Sequence, residues 1–170
     1  ALEYALSTTK PSAFRYPRGA FLEDGCFEPS PFYTSKAEIL IEGRDEVLFI
    51  GYGNGVGRAS ATVKILEEDG IFPSLLDLRF VKPFDEGTLL NLSKTLKRWF
   101  IFSDSAKLGG IGEMLSLFLQ EKGISDVRIE TFEYEDEFIT HGKTYDVEQS
   151  LGLLPHQLAD KVRVKISKPS

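Results

Sequence analysis

The stretch "VLFIGYGNGVGRASATVKILEEDG", residues 47–70, decides the fold. Its first four residues are uniformly apolar and read as a strand buried on both faces of a sheet. A glycine-rich turn follows. Val56, Ala59, Val63 and Leu66 then recur at three- and four-residue steps, which predicts a helix over about 55–69 that stops at Gly70. A strand buried on both faces, turning directly into a helix, is the repeating unit of a mainly parallel α/β sheet.

The turn is also where dinucleotide-binding α/β folds hold a pyrophosphate on backbone N–H groups. The spacing here departs from that pattern. Counting from Gly51 and Gly53, the third glycine position falls on Val56, and counting from Gly53 it falls on Arg58. The next strand has Asp77 in its middle and Arg79 near its end, so no acidic residue stands ready for a ribose. These glycines are therefore expected to serve a tight βα turn. "KLGGIGEML" (107–115) repeats the theme, and Asp104 beside it argues against an anion at that helix start.

Working outward, "EILI" (38–41) reads as a strand before this unit, and "SLLDLRF" (74–80), "WFIF" (99–102) and "VRIETF" (127–132) read as strands after it. Arg128 and Glu130 alternate with apolar residues, which places the last strand at or near a sheet edge. Asp85 is a good N-cap, with Phe84 and Leu89 at the two positions of a hydrophobic staple. Helices are predicted at about 109–122, ended by Gly123, and at 155–165 with Pro155 in the first turn. The architecture is a three-layer α/β/α sandwich, since right-handed crossovers cover both faces of a parallel sheet. Before it, "ALEYALSTTK" (1–10) reads as the last turns of a helix, "SAFRYP" (12–17) as a short strand, and 23–36 as a connection rich in Gly, Pro and Ser.

The chain has 170 residues, 42% hydrophobic and 27% charged, with a formal charge of −6. Net negative charge disfavours a nucleic-acid partner. No apolar run approaches the roughly 20 residues of a membrane span. The single cysteine, Cys26, cannot form an internal disulfide, and a cytoplasmic protein is expected. His141 lies in a loop and His156 in the first turn of the last helix, neither at metal-ligand spacing. No nucleophile elbow is present. Arg15 and Arg18 flank a Tyr-Pro step in "RYPRG". Guanidinium groups bind phosphate through paired charge-assisted hydrogen bonds, and the rigid step beside a glycine can aim one; a pair of surface charges at a strand end is the plainer alternative.

"PSAFRYPRG", "DLRFVKPFDEGTL", "GGIGEML" and "DEFITHG", in this order, resemble the C-terminal third of the 1-deoxy-D-xylulose-5-phosphate synthase family of the transketolase superfamily. The resemblance implies a five-stranded, mostly parallel sheet whose antiparallel first strand lies beside the third, whereas the short "EGRDE" link (42–46) on its own suggests an adjacent hairpin. It implies that 1–22 is the C-terminal remnant of a pyrimidine-binding domain, 23–36 a linker and 37–170 the C-terminal domain of a homodimeric enzyme. That enzyme joins pyruvate to D-glyceraldehyde 3-phosphate with loss of CO2, using thiamine diphosphate and Mg2+, and feeds isoprenoid, thiamine and pyridoxal synthesis. The family's catalytic, cofactor and metal residues lie outside this sequence, so the fragment alone is expected to be inactive. Arg18 matches a family residue that binds the substrate phosphate; Arg15 matches a position without an assigned role. Two stretches depart from the family pattern, Ser103-Asp104-Ser105 and "EYED" (133–136), both at positions that the resemblance places in loops at domain contacts. Another superfamily member, or a free-standing anion-binding or dimerisation module, are the alternatives.

Overall fold

The computed structural model describes residues 1–9, 11, 13, 27 and 30–167. Among them are a short helix α1 (Leu2–Ser7), the strands β1 (Glu38–Ile41), β2 (Val47–Gly51), β3 (Ser74–Asp77), β4 (Arg98–Ala106) and β5 (Arg128–Tyr134), and the helices α2 (Asn54–Glu67), α3 (Glu86–Leu92), α4 (Ile111–Glu121), α5 (Thr144–Leu151) and α6 (Pro155–Ser167). The strands form one sheet in the order β1-β3-β2-β4-β5. β2, β3, β4 and β5 run parallel, and β1 is antiparallel to β3. The first strand thus lies beside the third, and the hairpin suggested by the short link does not form.

The link itself shows why. The backbone N–H groups of Arg44 and Asp45 donate to the Phe72 carbonyl at 3.1 and 3.2 Å, so the chain crosses the start of β3 instead of turning back on β2. Gly43 makes the crossing possible, because a Cβ there would overlap the backbone of Phe72 and Pro73.

Every residue of β2 is buried, as its uniform hydrophobicity requires. Its alternate side chains enter two separate cores. Phe49 joins Leu75, Phe100, Phe102 and Phe132 against Ala59, Val63 and Leu66 of α2 and Leu158 and Val162 of α6. Leu48 and Ile50 join Trp99 and Ile101 against Leu89 of α3 and Leu115 and Phe118 of α4. Two helical layers on one sheet complete the expected sandwich. The aromatic rings of the first core meet at centroid distances of 4.8 to 5.7 Å, in the range where such pairs add to area burial.

Local signals act as expected at α3. The Asp85 carboxylate accepts from Thr88 N at 3.1 Å and Thr88 Oγ1 at 2.9 Å. Burial raises the Asp85 pKa, but the Thr88 and Ala37 hydrogen bonds and Lys36 outweigh it and hold the carboxyl below its ordinary range. α5 is the element that the periodicity did not reveal. None of its residues is buried, and it ends on Gly152 in the left-handed region at φ 69°.

Candidate functional site

The strand order reverses between β2 and β4, where open α/β sheets build their ligand crevices at the carboxyl ends of the strands. Here that position is filled by the protein. The β2–α2 turn passes through Gly53 at φ 57°, a backbone conformation that glycine adopts without steric cost. Tyr52 N donates to the Phe102 carbonyl at 3.0 Å. Gly55 lies so close to that carbonyl that any Cβ would overlap it. The glycines therefore let α2 press onto β4, and they leave no cradle for a pyrophosphate.

A charged cluster occupies the reversal point. Arg58, on the buried face of α2, is only 2% exposed. It donates to Asp104 Oδ1 at 2.6 Å, to Glu148 Oε1 of α5 at 2.9 Å and to the Ser103 carbonyl at 3.1 Å. Asn54 adds a hydrogen bond to Asp104 at 2.9 Å. Burial alone would lower the Arg58 pKa; Asp104 and Glu148 more than offset it, and the guanidinium stays firmly charged. Beside it, burial and then Asp104 raise the Tyr134 hydroxyl.

The start of α4 is occupied in the same way. Glu133, 6% exposed on β5, receives Ser103 Oγ at 2.8 Å, Ser105 Oγ at 2.6 Å and Ile111 N at 3.0 Å. Gly112 N approaches its two oxygens at 3.4 and 3.3 Å. A carboxylate of the chain thus takes the place of an external anion at this helix N-terminus. The sequence reading assigned that discouraging role to Asp104; the structure gives it to Glu133, and Asp104 turns to Arg58.

A third group fastens the segment before the domain. Arg79 has φ 54°, outside the range that non-glycine residues favour. Its guanidinium pairs with Glu38 and donates to Ser30 Oγ at 2.8 Å and the Pro31 carbonyl at 3.1 Å. It also lies 4.6 Å from the Phe32 ring centre. Asp77 holds it from below, with Arg79 N donating to Asp77 Oδ1 at 3.0 Å and Nε 3.5 Å from Oδ2. Burial pushes the Asp77 carboxyl up to about 6, against the pull of the Arg79 N–H.

Of the residues singled out in the sequence, Arg15, Arg18 and Cys26 lie outside the described residues. His141 and His156 are exposed and separate. No group of three or more His, Cys, Asp or Glu able to hold a metal occurs among the described residues. Among the described residues, the start of α4 is already taken by the Glu133 carboxylate and does not fit a diphosphate. Arg58 and Glu133 were missed, though each carried a signal. Arg58 stands on the stripe of α2 that faces the sheet, where a cation needs a partner, and Glu133 directly follows the buried Phe132. Ser103-Asp104-Ser105 and Glu133, placed in loops by the resemblance, belong to β4 and β5, where Ser103 and Ser105 donate to Glu133 while Asp104 accepts from Arg58.

Residues 35–158 match the family model described as the transketolase C-terminal domain, and the chain belongs to that family. Its curated relatives make the placing narrower. A 1-deoxy-D-xylulose-5-phosphate synthase of Nitratiruptor sp. is 56% identical over 96% of this chain, and one of Sulfurimonas denitrificans is 52% identical over 98%. The chain spans 26% and 27% of the length of these two proteins. Among solved structures, a split-gene transketolase in an inactive beta4 tetramer superposes with a TM-score of 0.70 at 21% identity, over 78% of this chain and 42% of that one. A transketolase of Pichia stipitis gives 0.56 at 16% identity, over 75% of this chain and 17% of its own. These two likenesses concern the fold.

Proposed function

We propose that this chain is the C-terminal portion of a 1-deoxy-D-xylulose-5-phosphate synthase. The observation that carries the reading is the 56% identity to such an enzyme over 96% of the chain. The whole enzyme joins pyruvate to D-glyceraldehyde 3-phosphate with loss of CO2, in the cytoplasm and as a homodimer, and supplies isoprenoid, thiamine and pyridoxal synthesis. Thiamine diphosphate supplies the nucleophile and electron sink when bound. It and Mg2+ are held by the preceding domains, and the chain by itself is inactive. Residues 1–22 close the pyrimidine-binding domain, 23–36 link and 37–170 form the C-terminal domain. The occupied N-terminus of α4 speaks against a free-standing anion-binding module.

Arg18 is the residue of this chain that grips the substrate phosphate. Arg79 holds Ser30 and Pro31, at the described end of the linker, to the domain. In the full-length enzyme, Arg18→Ala removes charge-assisted hydrogen bonds worth about 1.5 to 3 kcal/mol, a loss of roughly 10- to 150-fold in kcat/KM for glyceraldehyde 3-phosphate. The KM for pyruvate, which has no phosphate, moves much less. Lysine at 18 rescues in part, because a point charge does not copy the planar fork. Steady-state kinetics with each substrate varied decides it: an equal loss toward an unphosphorylated aldehyde acceptor would show that Arg18 supports the fold instead.

A further inference from the structure

Large apolar side chains that the core does not use gather at one end of the sheet. Tyr52 follows β2, Leu108 follows β4, and Phe138 and Ile139 follow β5, with exposures of 36%, 67%, 105% and 43%. Tyr145, 60% exposed, lies in the first turn of α5, which Glu148 pins to the same end through Arg58. Each of these segments leaves the carboxyl end of a parallel strand or is tied there, so the topology brings them to one rim. Single exposed hydrophobics such as Leu117 on α4 or Val164 on α6 are ordinary; several sharing one end mark an interaction surface.

The position of α1 says what covers it. Phe80 lies just past the carboxyl end of β3, and the Tyr4 ring meets it edge-on at 6.0 Å. The Tyr4 hydroxyl also bonds Thr34. The polypeptide ahead of the linker therefore arrives at the end of the domain that bears the rim. Its helix has no buried residue and leaves Leu2 and Leu6 58% and 78% exposed. The relatives, of whose length this chain matches about a quarter, have ample polypeptide to bury both surfaces.

We infer that the rim of Tyr52, Leu108, Phe138, Ile139 and Tyr145 seats the polypeptide that precedes Ala1 in the full-length enzyme, and that the seated part belongs to the same copy. The inference rests on the reading of the chain as the C-terminal portion of a longer synthase. Same-copy docking follows from the covalent path: α1 already stands at this end, so the preceding segment meets the rim at the high effective concentration of a tethered partner. Glu135, Asp136 and Glu137 run beside Phe138, with Lys107 paired to Glu135 at 3.1 Å, so the seated face is apolar with a cationic border.

The test places the photo-cross-linking residue benzoylphenylalanine at position 138 of the full-length enzyme, and at position 117 in a control. Isotopically light and heavy enzyme are mixed in equal amounts under dissociating conditions and reassembled, so that about half of the dimers are light–heavy hybrids, then irradiated, digested and read by mass spectrometry. The expected result is cross-links from 138 to peptides ahead of Ala1, at least tenfold above those from 117, in light–light and heavy–heavy pairs only. Mixed light–heavy pairs, or links from 138 to residues 37–167 of another copy, would overturn the inference, as would a yield at 138 no greater than at 117. Turnover of pyruvate and glyceraldehyde 3-phosphate by the unlabelled full-length enzyme is measured alongside. Its absence would count against the proposed reaction and leave the cross-links to be read on their own.

Discussion

Replacing Arg58 by methionine keeps an unbranched stem in the packing of α2 and deletes the guanidinium. Three acceptors then lose their donor: Asp104, Glu148 and the Ser103 carbonyl. They are not equally affected. Asp104 is 40% exposed and returns largely to water, so it contributes little, as exposed pairs do. Glu148, 13% exposed, and the buried Ser103 carbonyl have no such relief. A charge-assisted bond lost by Glu148 costs about 1.5 to 3 kcal/mol and the carbonyl about 1 kcal/mol more. The sum of about 2.5 to 4 kcal/mol overlaps the cost of removing one partner of a buried ion pair. For a chain of this size it lowers Tm by about 5 to 16 °C. Urea unfolding followed by circular dichroism, with an unchanged m-value, measures it directly. A double-mutant cycle with Glu148→Gln is expected to show coupling of 1 kcal/mol or more, roughly. A loss below about 1 kcal/mol for Arg58→Met, or Glu148→Gln costing the same with and without Arg58, refutes the assignment of the cluster as the bolt between α2, β4 and α5.

Three further outcomes are expected. Gly55→Ala forces α2 away from the Phe102 carbonyl and destabilises by about 2 kcal/mol or more, whereas Gly53→Ala, with open space around its Cβ, costs only the strain of its positive φ; equal effects in urea unfolding would contradict the packing role. Asp77, with its carboxyl raised to about 6 by burial, binds its proton more tightly in the folded state, so its stabilising contribution is full below the ordinary value of 3.8 and is lost as pH rises through about 6. The loss amounts to at most about 3 kcal/mol, and the difference between wild type and Asp77→Asn across this window isolates it from Asp85, whose contribution falls away toward acid; parallel curves would exclude it. Glu133→Gln places an NH2 group against backbone donors and costs about 1 to 3 kcal/mol, with faster hydrogen exchange at Ile111 and Gly112; unchanged exchange there would show that the carboxylate does not complete α4.

The sheet was legible because its strands are short apolar runs whose two faces both need cover, and the helices after β2 and β4 because their apolar stripes lie opposite that need. α5 escaped for the converse reason: it buries no side chain, and Glu148, which ties it down, is a polar residue whose partner lies 90 positions away. Its one local signal was Gly152, a stop without a visible start. The place of β1 was not legible from the link, since a five-residue connection suits a hairpin and only the crossing over Phe72 and Pro73 rules one out. The cluster at the carboxyl end was the least legible. Ser103-Asp104-Ser105 and "EYED" stood out singly as departures from the family pattern. The structure shows that the two departures face each other, since Ser103 and Ser105 both donate to Glu133.

That same Glu133 makes the edge of the sheet cooperative with its interior. Among the described residues β5 pairs with β4 alone, and a strand in that position normally frays first and offers its free side to foreign strands. Here, peeling β5 away also withdraws the carboxylate from Ile111 N and Gly112 N, so the edge does not open without uncapping a helix 21 to 22 residues upstream. An intruding strand that took the place of β5 could satisfy the ladder to β4, but it would leave α4 unfinished unless it carried an acidic residue in the same register. The domain thereby recognises its own last strand by one side chain.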